Sequence, residues 1–142
     1  MSKNLIAKSS ITIHADRKAV WNALTNPQEI SKYMFGARVE STWKAGSPIT
    51  WNGEVNGKKY ADKGEILEVK PEDTLAYSHY SSLSGKPDKP ENYHNVTIHV
   101  AAADDSSLVT LTQDNNPNED ARGHSQQNWT MVLQGLKRTV EG

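Results

Sequence analysis

From Ala37 to Gln113 the chain alternates apolar and polar residues in short runs broken by turn signals. Ile49 and Trp51 share one parity, as do Leu75, Tyr77 and His79, then Val96, Ile98 and Val100, then Val109 and Leu111. Asn56-Gly57 is a two-residue hairpin signal, Pro71-Glu72-Asp73 is a turn, and Asp104-Asp105-Ser106-Ser107 is another. No helical stretch separates these runs, so the strands pair with their sequence neighbours as an antiparallel meander. The region excludes a parallel α/β fold.

The flanks supply one more strand and all the helices. Ile11, Ile13 and Ala15 alternate with polar residues, which predicts a half-buried strand. Asp16 is placed to cap a short helix that carries Val20 and Leu24 on one face, with Trp21 in the core. Asn26-Pro27-Gln28-Glu29 then restarts a helix running to about Tyr33, with Asn as cap and Pro at the first helical position. Asn116-Pro117-Asn118-Glu119 repeats that pattern and is expected to open the longest helix. Its apolar stripe is Ala121, Ser125, Trp129, Val132/Leu133, Leu136 and Val140. The expectation is a single α+β domain over residues 1–142, with about six to seven strands, two short helices after the first strand and one long C-terminal helix.

Leu, Ile, Val and Phe make up under a fifth of the chain, a level that can accompany disorder. Disorder also needs a high net charge, and here 16 Lys+Arg meet 17 Asp+Glu. Four Trp and five Tyr supply apolar area that the aliphatics lack. With no cysteine there is no disulfide, thiolate metal site or cysteine nucleophile. The charge balance shows no basic stripe for a nucleic acid, and no apolar run is long enough for a membrane span. The N-terminal stretch Met1 to Lys8 lacks the apolar segment of a signal peptide, so a cytoplasmic protein is expected.

No catalytic motif stands out. The five histidines show no HExxH and no helical i, i+4 pair, so no metal or other cofactor is expected. Gly123-His124-Ser125-Gln126-Gln127 lacks the second glycine of a nucleophile elbow and falls inside a helix. Glu65 and Glu68 are expected on opposite strand faces, because their separation is odd. His94 shares parity with Val96 and Ile98, and His79 with Leu75 and Tyr77. If those apolar faces point inward, both histidines reach the interior.

The aromatics are the better lead. Trp51, Tyr77 and Trp129 fall on inward faces, with Tyr33, Met34 and Phe35 at the second helix's exit. Such rings join apolar area to a polar handle, which suits an amphipathic ligand. They serve equally to fill the core. The candidate lining is Tyr33, Phe35, Trp51, Tyr77, His79, His94, Ile98, Ser125, Trp129 and Leu133. The loop Ser84 to Pro90, joining strands that carry His79 and His94, is a candidate lid.

Four stretches in order resemble the START-like (SRPBCC) proteins: Ala19-Val20-Trp21-Asn22-Ala23-Leu24-Thr25-Asn26-Pro27; Ile49-Thr50-Trp51-Asn52-Gly53; Gly64 to Pro71 with Leu75-Ala76-Tyr77; and Trp129 to Lys137. Within that superfamily the chain is most similar to the activator of heat-shock protein 90 ATPase homologue family, at the level of that activator's C-terminal domain. The resemblance implies a helix-grip fold, a bent antiparallel sheet around the C-terminal helix, with a small hydrophobic or amphipathic molecule between sheet and helix. It also implies, as alternatives, a heat-shock protein 90 type chaperone as partner, or a cyclase- or hydrolase-like enzyme using His79, His94 or Tyr77.

Overall fold

A computed structural model describes residues 5–142, so the first four residues of the stretch read for a signal peptide lie outside it. The elements are β1 (Leu5–Ile13), α1 (Arg17–Thr25), α2 (Pro27–Tyr33), β2 (Arg38–Ser41), β3 (Pro48–Val55), β4 (Lys58–Lys70), β5 (Thr74–His79), β6 (His94–Ala103), β7 (Ser106–Asn116) and α3 (Glu119–Glu141), with one 3-10 turn at Pro90–Asn92. Seven antiparallel strands form one sheet in the order β1-β7-β6-β5-β4-β3-β2. Every neighbour pair is a hairpin except β1–β7, which joins the two ends of the chain. This is the α+β arrangement that the alternation requires.

The local signals act as their chemistry dictates. Asp16 Oδ1 accepts from Ala19 N at 2.9 Å, and Asn26 Oδ1 from Gln28 N at 3.0 Å, with Pro27 at the first turn of α2. Asn56 and Gly57 both take positive φ, 52° and 81°, which suits a tight β3–β4 hairpin. Buried side chains from all layers meet in one core: Ile13, Val20, Ile49, Ile66, Leu75, Val96, Val109, Leu111 and Leu136 are all at most 1% exposed. Trp21, expected in the core, packs against its edge and is half-buried.

Three expectations need correction. The cap of α3 is Asn118, whose Oδ1 accepts from Ala121 N at 2.8 Å; Asn116 ends β7 instead. Asn116 is buried because its amide has other work: Nδ2 donates to Leu5 O at 2.9 Å and Gln113 O at 3.1 Å, and Oδ1 accepts from Ser125 Oγ at 3.0 Å. Second, β4 carries one extra residue opposite β5, since Ile66 pairs with Tyr77 but Glu68 with Ala76. That bulge absorbs the odd step, so Glu65 and Glu68 share the outer face. Third, Ser84 to Pro90 is not placed as a lid. Asp88 ion-pairs with Lys63 and accepts from Tyr93 Oη at 2.6 Å, Tyr80 Oη donates to Lys86 O at 2.5 Å, and Tyr80 stacks on Tyr93. The loop is thereby strapped to the sheet on the Lys63 side.

Candidate functional site

Sheet and α3 enclose very little empty space. A void of about 30 Å³ lies between Tyr33, Val39, Trp43, Ile49, Trp51, Leu75, Tyr77, Ile98, Leu111, Trp129, Leu133 and Leu136. That is a small fraction of the ~300–1,000 Å³ of a pocket that encloses a small-molecule ligand. The large rings therefore occupy most of the interior. Beyond Trp51, Tyr77 and Trp129 lies a second space of about 90 Å³, bounded also by Met34, Phe35, Ala37, Tyr60, Asp62 and His79. Phe35 stands 74% exposed at its edge. The three shared rings form the partition between the outer cleft and the inner void.

The sequence candidates divide accordingly. Trp51, Tyr77 and Trp129 line both spaces; Tyr33, Ile98 and Leu133 line only the inner void; Phe35 and His79 line only the cleft. His94 and Ser125 line neither. His94 pairs with His79 across β5–β6, yet its Nδ1 lies 2.9 Å from Asp114 O. Ser125 joins the hydrogen-bond chain at the start of α3, between Asn116 and Gln113. No residue from 80 to 93 lines either space.

In the cleft three lining residues were not singled out: Ala37, Tyr60 and Asp62. For the last two a signal existed. Tyr60, Asp62, Gly64 and Ile66 share one parity on β4, so an inward Ile66 carries Asp62 inward with it.

Asp62 gives the cleft its polar corner. Its Oδ2 lies 3.0 Å from His79 Nε2, and its Oδ1 accepts from Ser82 N at 2.9 Å and Ser82 Oγ at 3.2 Å. Burial alone pushes the Asp62 carboxyl up, but the hydrogen bonds from His79 and Ser82 outweigh it and hold the group below the usual carboxylate range. The His79 ring meets Trp51 edge-on, with centroids 4.9 Å apart, and Trp51 lies 5.2 Å from Tyr77. Burial pushes the Tyr77 hydroxyl far up, so it stays neutral. On the far side, Trp129 Nε1 donates to Gln113 Oε1 at 2.5 Å and fixes the indole. Among the described residues no cluster could hold a metal, and no helix is long and apolar enough to cross a membrane.

Two left-handed residues in one turn shape the mouth. Phe35 and Gly36 both adopt left-handed backbone, φ 56° and 78°, directly after α2. That conformation is costly for a bulky aromatic, and it turns the chain from α2 towards β2.

An antiparallel meander closed by a long C-terminal helix, with two short helices inserted after the first strand, is the START-like helix-grip class. It is an architecture of the ligand-binding type. Within that class the chain belongs to the family described as "Activator of Hsp90 ATPase homolog 1-like protein", whose model matches residues 14–141. The solution structure of ChR145 from Cytophaga hutchinsonii is similar at 50% identity, covering 99% of this chain and 97% of that one, with a TM-score of 0.87. The Aha1 dimer from Colwellia psychrerythraea shares the fold at 19% identity, 96% coverage of both chains and a TM-score of 0.75. CalU16 from Micromonospora echinospora does so at 18% identity, covering 99% of this chain and 86% of that one, with a TM-score of 0.71. No curated protein sequence matches the chain.

Proposed function

We propose that this domain is a binding module for a small hydrophobic or amphipathic molecule. The ligand's apolar body lies against Met34, Phe35, Trp51 and Trp129, and its polar end meets the Asp62–His79 corner. The observation that carries this reading is Phe35, an aromatic ring 74% exposed and held in left-handed backbone beside an aromatic-lined cleft. A ring kept in water at a conformational cost is poor for folding and good for contact. Access runs past Phe35 rather than under the Ser84 to Pro90 loop. The 90 Å³ cleft limits the enclosed part of the ligand to a small group, with the remainder lying on the mouth.

Native mass spectrometry of the purified protein, followed by titration with hydrophobic compounds monitored by tryptophan fluorescence, tests this. Saturable quenching is expected, and it is expected to vanish in Ala37→Leu, which fills the cleft from the β2 side. Unsaturable quenching, or quenching that Ala37→Leu leaves intact, refutes the reading.

The family description supports a second reading, a domain that docks on a heat-shock protein 90 type chaperone. Co-precipitation with the cognate chaperone and an assay of its ATPase separate the two. Stimulation unaffected by Ala37→Leu assigns the docking surface elsewhere.

A further inference from the structure

The hydrogen bonds around Asp62 fix the protonation pattern of His79 without reference to any ligand. Asp62 is ionised in the neutral range and can only accept, so the nitrogen facing it, His79 Nε2, carries a proton. In the neutral imidazole, Nδ1 is then a bare acceptor. Nδ1 makes no hydrogen bond with any described residue. It is not sealed off either, since no fully buried side-chain nitrogen or oxygen among the described residues lacks a partner.

Trp51, Tyr60 and Tyr77 also line the cleft, and the indole N–H and the two hydroxyls likewise make no hydrogen bond with a described residue. An indole N–H only donates and a phenol hydroxyl can do either. His79 Nδ1 alone among them only accepts.

We infer that His79 reads a hydroxyl proton, so that the cleft selects a small apolar alcohol over the carbonyl compound of the same shape. This rests on the cleft being a ligand site, and it names the class of ligand. A polar wall atom that can only accept rejects an analogue that cannot donate, because the two lone pairs then face each other in a half-buried site. Asp62 acts as a positioning residue: it holds the ring edge-on to Trp51 and keeps the proton on Nε2.

Ser82 makes the assignment testable by an isosteric change. Its backbone N–H can only donate, so in Asp62→Asn the amide oxygen must take the place of Oδ1. The amide NH₂ then faces His79, Nε2 must accept, and the proton moves to Nδ1. Shape is preserved while the atom available to the ligand changes from acceptor to donor.

The probes are cyclohexanol and cyclohexanone, which differ only in the oxidation level of one carbon. Each is titrated into the wild-type protein, Asp62→Asn and His79→Leu, following the amide signals of Gly36 and Ala37 by NMR. The wild type is expected to bind the alcohol roughly fivefold to tenfold tighter than the ketone, the size of one neutral hydrogen bond. Asp62→Asn is expected to erase or reverse that preference while still binding the ketone, and His79→Leu to erase it. Equal wild-type affinities, or a preference that survives either substitution, overturn the inference and leave the cleft as a ligand site. Absence of any response to either probe overturns both.

Discussion

Tyr33 donates its buried hydroxyl to the carbonyl of Ala23, 2.8 Å away. That carbonyl sits in the last turn of α1, where the residue four positions on is Pro27, which has no N–H to offer. The proline that starts α2 therefore orphans an acceptor of α1, and the tyrosine that ends α2 satisfies it. Tyr33→Phe is expected to cost about 1–3 kcal/mol, the penalty of a buried unpaired acceptor. Urea denaturation measures it, and a loss near zero would show that water reaches Ala23 O.

Two glycines of α3 separate packing from propensity. A β-carbon at Gly135 would lie 2.9 Å from Tyr33 Cβ, so α2 must move to admit one, whereas one at Gly123 meets nothing within 4 Å. Gly123→Ala should stabilise by about 0.5–1 kcal/mol, the helix-propensity gain. Gly135→Ala should destabilise by about 1–2 kcal/mol, because overpacking exceeds that gain. Opposite shifts in melting temperature are the expected result.

Trp129→Phe keeps a ring on the partition but leaves Gln113 Oε1, on a side chain only 9% exposed, without its indole donor. A loss of about 1–3 kcal/mol follows. Trp129→Phe together with Gln113→Leu should recover part of it, since both partners are then apolar. Thermal denaturation of the single and double variants checks this.

Asp62 sets a pH dependence. Its carboxyl is lowered in the folded chain from an ordinary value of 3.8, so its stabilising contribution is complete above that value and is lost as pH falls through the folded one. The stability advantage of the wild type over Asp62→Asn should therefore be largest near neutral pH and shrink below pH ~4. Denaturant midpoints at pH 7 and pH 3 read it directly; a constant difference contradicts the ion's role.

The strand parities and caps made the architecture legible, because each is a local rule: Asp16, Asn26-Pro27 and Asn56-Gly57 act within a few residues of themselves. Errors arose where a distant partner decided. Asn116 resembles a helix cap, yet Leu5 at the other end of the chain claims its amide. The β4 bulge, which reverses the faces of Glu65 and Glu68, depends on register with β5. For the site, strand parity put Trp51 and Tyr77, and helical spacing put Trp129, on the inner wall. Neither could show that they would nearly fill the interior and move the open space outward to Phe35. Nor could parity separate His79 from His94, which share a face but differ in partners, Asp62 and the Asp114 carbonyl.

The four tryptophans offer the most direct check. Trp51 and Trp129 border the cleft, Trp43 borders only the inner void, and Trp21 borders neither. In an NMR titration with a small hydrophobic ligand, the indole N–H signals of Trp51 and Trp129 should shift saturably while those of Trp21 and Trp43 stay in place. A dominant shift at Trp43, or uniform shifts at all four, would contradict a ligand site at the Phe35 mouth.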